Sequence, residues 1–335
     1  MAGEIAPGVS TNFGGISING AVLSAVTPFQ NVRGGLPCGL TLYVSSNGGL
    51  DRNGSVSGGF GDGTNINAPL ATLAAAMSAL NNRTNRGDVI YVLPGHTESI
   101  STADYFSNTG TASRCAVIGL GAGDGRPTFT WTTATSTWLM DTAGVEIANC
   151  NLYLAGASAT GALTVAAAIT VSAADCRFVG NYIHTGWDSD SIVALGISAT
   201  DAADGLVMIG NEVIGVSTAV PTTAPIQIAG ADRAKILGNR ISAPSASGIG
   251  VIKLVATAAT QIQIIGNDLQ NNAASSTVVV TTVASGTGTI ASNFCRNMTD
   301  ANVGHLPATG NYQFFANYGV NNNAEVGILI GTPSV

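Results

Sequence analysis

Between Phe178 and Phe294 the chain returns five times to nearly the same phrase: Val179-Gly180-Asn181-Tyr182-Ile183, Ile209-Gly210-Asn211-Glu212-Val213, Leu237-Gly238-Asn239-Arg240-Ile241, Ile265-Gly266-Asn267-Asp268-Leu269 and the looser Ala291-Ser292-Asn293-Phe294-Cys295. The asparagines lie 30, 28, 28 and 26 residues apart. Self-similarity at a period of roughly 20–50 residues marks a solenoid, a propeller or an array, because each repeat is one unit that buries its apolar face only against its neighbours.

The repeats are built of strands. Apolar residues do not recur at spacings of three and four over ten or more residues, and the stretch is rich in Gly, Val, Ile and Thr, which disfavours helix. A short apolar run precedes each asparagine, as in Leu206–Ile209 and Ile262–Ile265, and a second follows about halfway round, as in Ala194–Ile197, Pro225–Ile228, Val251–Leu254 and Val278–Val280. Two or three short strands per period make one coil of a parallel β-helix. Gly and Asn both tolerate positive φ, so the pair turns a corner between strands, and stacked asparagines can hydrogen-bond in a ladder. Asp175, Asp204 and Asp232, lying 6, 7 and 7 residues before their asparagines, suggest a second corner. Asn149, 32 residues before Asn181, and Asn317, 24 after Asn293, extend the pattern. The expected stack spans residues 88–320 in about eight coils, with a corner ladder of Asn149, Asn181, Asn211, Asn239, Asn267 and Asn293.

An open β-helix end is an exposed sheet edge and needs a cap. Pro69 to Leu80 supplies one: Pro at a helix start, then strong helix formers with apolar Leu70, Leu73, Met77 and Leu80 on one face. A polar turn leads into Gly87-Asp88-Val89-Ile90-Tyr91-Val92-Leu93-Pro94-Gly95-His96-Thr97-Glu98. This order of capping helix, apolar strand ending in Pro-Gly and coils with Gly-Asn corners resembles the right-handed β-helix proteins of the pectate-lyase-like superfamily. The resemblance covers residues 62–320 and implies an all-β, right-handed parallel β-helix. It does not fix an activity, because one fold hosts many functions.

Only 9% of residues are charged against 45% hydrophobic, and the net charge is −7. A surface so short of charge, far below the usual quarter, is commonly buried in a symmetric assembly. Mean hydropathy is +0.33. The longest apolar stretch, Ala162–Val171, is nonetheless too short for a membrane span. Met1 to Ile5 carries an acid where a signal peptide has a basic region, so synthesis in a host cytoplasm is expected. The five cysteines, Cys38, Cys115, Cys150, Cys176 and Cys295, are scattered and read as buried thiols. Residues 1–61 lack the repeat and read as an N-terminal arm, 62–87 as capping helix and turn, and 321–335 as a C-terminal tail.

Catalytic groupings are sparse. His96, His184 and His305 are isolated in sequence and form no metal motif. Glycoside hydrolysis needs two carboxylates about 5–10 Å apart. The local candidate is Trp187-Asp188-Ser189-Asp190, whose alternate acids would share one side of a strand, with Asp201 and Asp204 in support. Trp187, Asp188 and Asp190 are therefore the fallback glycan-binding patch. Lyase chemistry, as the family resemblance implies it, would need calcium-binding acids beside a base, and Lys235, Lys253, Arg177 and Arg240 lack such a cluster. Twelve basic residues spread along the chain form no stripe for nucleic acid. Gly119 to Gly125 lacks the Lys-Ser/Thr of a phosphate loop and reads as a turn.

The expectation is a non-enzymatic structural virion protein, without metal or cofactor, that decorates or cements a bacteriophage capsid. It would be anchored through residues 1–61 to the major capsid protein or another virion protein. The alternative is a tailspike or fibre that binds or depolymerises host surface glycans, and the third reading is a cellular β-helix enzyme or adhesin. A homotrimer is what the family resemblance implies.

Overall fold

The computed structural model describes two short strands, Ser10–Phe13 and Ile16–Ile18, and residues 39–51, 62–80, 87–105, 113–156, 163–216, 218, 223–245, 249–255, 259–272, 278–281, 286–297, 311–321 and 326–329. The two N-terminal strands pair antiparallel. From Thr41 onward the chain winds into a parallel β-helix with three sheets. Each repeat contributes one strand before its corner asparagine to the first sheet, such as Val207–Ile209, and one after it to the second, such as Glu212–Ile214. Halfway round it adds one to the third, such as Ala224–Ile228.

Strict in-register pairing places one inward residue of every strand above its counterpart. Phe178, Met208, Ile236, Ile264 and Ile290 form one such column in the first sheet. Ile183, Val213, Ile241, Leu269 and Cys295 form another in the second. All are 0–1% exposed, and each aliphatic side chain of this kind contributes about 1.5–3 kcal/mol relative to leaving it in water. The stack is held by repetition of this increment.

The first and second sheets have ten strands each and the third has six, Trp138–Met140 to Val279–Thr281. There are thus about six complete three-sided turns instead of the eight expected, because among the described residues the terminal turns carry only two faces. The first sheet also begins earlier than residue 88: Thr41–Val44 pairs in parallel with Val89–Val92. That strand belongs to the segment read as an arm, and its alternating burial matches an edge row that packs one face on the core.

The capping helix is Leu73–Ala79, shorter than the expected Pro69–Leu80. Leu70 forms a parallel bridge with Val44, so the chain is still extended there, and extended Thr72 is the N-cap, its hydroxyl accepting from Ala75 N at 3.1 Å. Leu73, Ala76, Met77 and Leu80 join the main core and close its end. A buried polar cluster fixes this helix. Ser46 N–H donates to His96 Nδ1 at 2.8 Å, which leaves the proton on Nε2 to donate to Glu98 Oε2 at 3.0 Å. Glu98 also accepts from Leu73 N at 2.9 Å and from the Tyr105 hydroxyl. A carboxylate at a helix start satisfies a donor that the Thr72 cap, engaged with Ala75 N, does not reach.

Six consecutive corners share one device. A residue with positive φ, Gly180 (61°), Gly210 (61°), Gly238 (59°), Gly266 (67°), Ser292 (54°) or Ala316 (51°), is followed by a buried asparagine: Asn181, Asn211, Asn239, Asn267, Asn293 or Asn317. Only the first residue of the pair uses the left-handed region. The asparagine acts by hydrogen bonding. Asn211 N–H and Nδ2 both donate to Asn239 Oδ1 at 2.9 Å, and Asn211 Nδ2 donates a second time, to Phe178 O of the previous coil, at 2.9 Å. The same three bonds recur at Asn181, Asn239, Asn267 and Asn293.

Asn149 does not belong to this ladder. It occupies the preceding, left-handed position (φ 55°), and Cys150 takes the ladder position, its N–H donating to Asn181 Oδ1 at 3.0 Å. Asn149 Nδ2 instead donates to Gly119 O and Gly121 O at 2.8 and 3.0 Å, pinning the glycine-rich loop that ends in the 3₁₀ turn Gly123–Gly125. The displacement follows from register: Ala148 lies beside Val179, so Asn149 is level with Gly180 and Cys150 with Asn181, and Asn is among the non-glycine residues that best tolerate the positive φ of that position.

Replacing Asn239 by Ala should strand buried donors on Asn211 and buried acceptors on Met208 and Asn267, costing about 3 kcal/mol, while Asn149→Gly, which keeps the left-handed corner, should cost about 1 kcal/mol. Urea unfolding of both variants checks this, and equal losses would contradict the ladder. Glu98→Gln should lower stability by about 2 kcal/mol and raise amide exchange over Leu73–Ala79, since the carboxylate then accepts without its charge and with one oxygen fewer.

Candidate functional site

The links from the second sheet to the third leave the stack, and one of them folds into a hairpin of Gly186–Asp188 against Ser191–Val193. The returning strand pairs in parallel with Leu163–Val165. Asp188 ends its strand and Asp190 lies in the turn. Asp190 N–H donates to Asp188 Oδ1 at 2.9 Å, and Asp190 O accepts from Leu163 N at 2.5 Å. The two acids therefore shape and tether a turn and do not flank a substrate from one strand face, as the alternation suggested. Asp201 and Asp204 fall beyond the opposite end of the third-sheet strand Leu195–Ala199 and do not join them.

Asp204 belongs to the second corner. Its left-handed positions are Arg114, Gly144, Asp175, Gly205, Arg233 and Gln261, so Asp175 sits on the corner while Asp204 and Asp232 precede it by one residue. Asp204 Oδ1 accepts from Asp232 N at 2.9 Å, and Asp232 Oδ1 accepts from Thr260 N and Oγ1 at 2.6 and 2.8 Å. These bonds from Thr260 hold the Asp232 carboxyl below its ordinary range.

Trp187 has a different setting from the acids beside it. Its ring stacks on His184 at 4.2 Å and 21°, and meets Tyr153 edge-on at 5.3 Å and 64°. Tyr153 in turn meets Tyr182 edge-on at 6.3 Å. Parallel register creates the cluster: Asn151 lies beside Tyr182, and Tyr153 beside His184. Leu152 and Ile183 between them face the core, so the three rings stand on the outer face of the second sheet. Trp187 folds over His184, which is 5% exposed and whose pKa is lowered by burial.

Continuing along the same outer column, Glu212 follows Tyr182, then Arg240, Asp268, Phe294 and Tyr318. Arg240 Nη1 pairs with Glu212 Oε1 at 2.5 Å, Arg296 pairs with Asp268, and the Arg296 guanidinium lies 5.3 Å over the Phe294 ring. Arg177 lies 3.6 Å from Glu146. The basic residues considered for a lyase thus engage structural partners where their contacts are described.

His305 and Cys38 lie outside the described residues. Cys115, Cys150, Cys176 and Cys295 are buried thiols that form no disulfide. Burial raises Cys150 and Cys295 to about 12 and Cys176 to about 11. Among the described residues no group of three or more His, Cys, Asp and Glu side chains converges as a metal site, and no helix is long and apolar enough to cross a membrane.

No family model matches the chain, and no curated protein matches it significantly. Among solved structures, the chain is similar to ORF18 of Geobacillus virus E2, at 12% identity and a TM-score of 0.35, over 93% of this chain and 67% of that one.

A thiol raised from 9 to about 12 holds roughly a thousandfold less thiolate at pH 8. Iodoacetamide at pH 8 should therefore leave Cys150 and Cys295 unmodified in the folded chain and label them after denaturation, as read by peptide mass spectrometry. Rapid native labelling of either would contradict their burial.

Proposed function

We propose that this chain is a structural protein of a bacteriophage virion that decorates or cements the capsid surface and is anchored through its N-terminal segment. The observation that carries the reading is the outer face of the first sheet. Alternating with the inward column, half-buried Val179, Ile209, Leu237 and Ile265 and exposed Phe315 occupy one outward column, with small, buried Ala291 between the last two. Phe315 is 54% exposed, and Phe294 and Tyr318, 40% and 47% exposed, lie just past the adjoining corners. An apolar strip on the outside of several successive coils suits burial against other subunits. A homotrimer and contacts with the major capsid protein belong to this proposal, as does a non-enzymatic role.

A second reading, a spike or fibre that binds host surface glycans, is favoured by the exposed Trp187 ring on the outer hairpin. The two readings differ in copy number on the particle.

Deleting residues 1–35 should leave a folded β-helix by circular dichroism that no longer associates with capsids in a sedimentation assay. Retained binding would remove the anchor assignment. Cryo-electron microscopy of the particle should show the chain in many copies at regular lattice positions, whereas a few copies confined to the tail would favour the spike.

A further inference from the structure

The hairpin and the second sheet combine into a surface that neither provides alone. Of the three tryptophans, Trp131 and Trp138 are 0% and 1% exposed, but Trp187 is 40% exposed. One face of its ring is taken by His184 at 4.2 Å. Exposing a large aromatic costs free energy unless a partner covers it, and here burial of His184 and the edge of Tyr153 hold the ring in a fixed orientation. Tyr182 extends the platform along the sheet, followed by the paired carboxylate and guanidinium of Glu212 and Arg240.

We propose that Trp187, flanked by Tyr153 and Tyr182, is a binding platform for a neutral hexose glycan, a proposal that rests on the glycan-binding reading above. The electron-rich ring face attracts the weakly positive C–H face of a pyranose, while Glu212 and Arg240 offer an acceptor and a donor to ring hydroxyls one row away. The local acids Asp188, Asp190 and Glu212, together with a net charge of −7, disfavour an anionic polysaccharide. The Asp188 carboxylate holds the hairpin turn, whereas Asp190 contributes to it through its backbone N–H and C=O. The ligand therefore lies on the aromatic face and not between the two acids.

Because the other tryptophans are buried, emission changes report on Trp187. The full chain is titrated with cellohexaose, maltohexaose and mannohexaose, with hyaluronan oligosaccharide as the anionic comparison. At least one neutral probe should shift and quench the emission. Isothermal calorimetry with that probe should show Trp187→Ala weakening binding about tenfold or more and Tyr153→Ala weakening it about threefold. Trp187→Phe should retain most of it, and Asp190→Asn should leave it within about twofold. Thermal melts confirm that each variant is folded. No response to any neutral probe at millimolar concentration overturns the proposal, as does binding that survives Trp187→Ala. Capsid association is measured on the same preparations, so loss of the sugar site with intact capsid binding removes this platform and leaves the decoration reading standing.

Discussion

The ladder of corner asparagines is the constraint on which the rest depends. A tight turn between two strands of a solenoid exposes backbone groups to the interior on every coil, and each such group must find a partner. Here one side chain makes four bonds: Asn239 Oδ1 accepts from Asn211 N–H and Nδ2, and Asn239 Nδ2 donates to Asn267 Oδ1 and to Met208 O of the first sheet. Because every asparagine hydrogen-bonds its equivalent in the next coil, a slip of one residue would break bonds at all levels together. Register in the second sheet and, through it, in the whole stack follows from that. The inward columns then supply the apolar burial that makes the registered arrangement stable.

Register has a second consequence on the outside. Residues about thirty positions apart in sequence become neighbours, so Tyr153 and Tyr182 meet although nothing local links them. The outer faces acquire distinct characters: an apolar strip on the first sheet, and on the second a run of rings followed by paired charges. The links between the second and third sheets vary in length without disturbing the stack, which leaves them free to carry a hairpin such as the one that presents Trp187.

The repeat period, the all-β class and the capping helix were legible in the sequence because each rests on local signals: a recurring Gly-Asn pair, period-two strands, and apolar residues at three and four spacing. What escaped was position within a register. Asn149 has the look of a ladder member because its phrase contains asparagine, yet the register with the next coil sets it level with Gly180, in the left-handed position, and not with Asn181. Thr41–Val44 was hidden by its distance from the next strand, which lies beyond the capping helix. Asp188 and Asp190 alternate as strand residues would, but the strand ends at Asp188 and Asp190 lies in the turn. Tyr153, Tyr182 and His184 gave no signal on their own. The 31-residue offset between Asn151 and Tyr182 would have revealed them once the corner was assigned correctly.

Site-resolved amide hydrogen exchange tests the central claim most directly. The account places the backbone N–H groups of Asn181, Asn211, Asn239 and Asn267 in buried bonds to side chains of the same kind. They should exchange among the slowest amides in the chain and at closely similar rates from coil to coil. Exchange at those four positions as fast as in the exposed hairpin turn around Asp190 would show that the corners open independently, and that the ladder does not govern the stack.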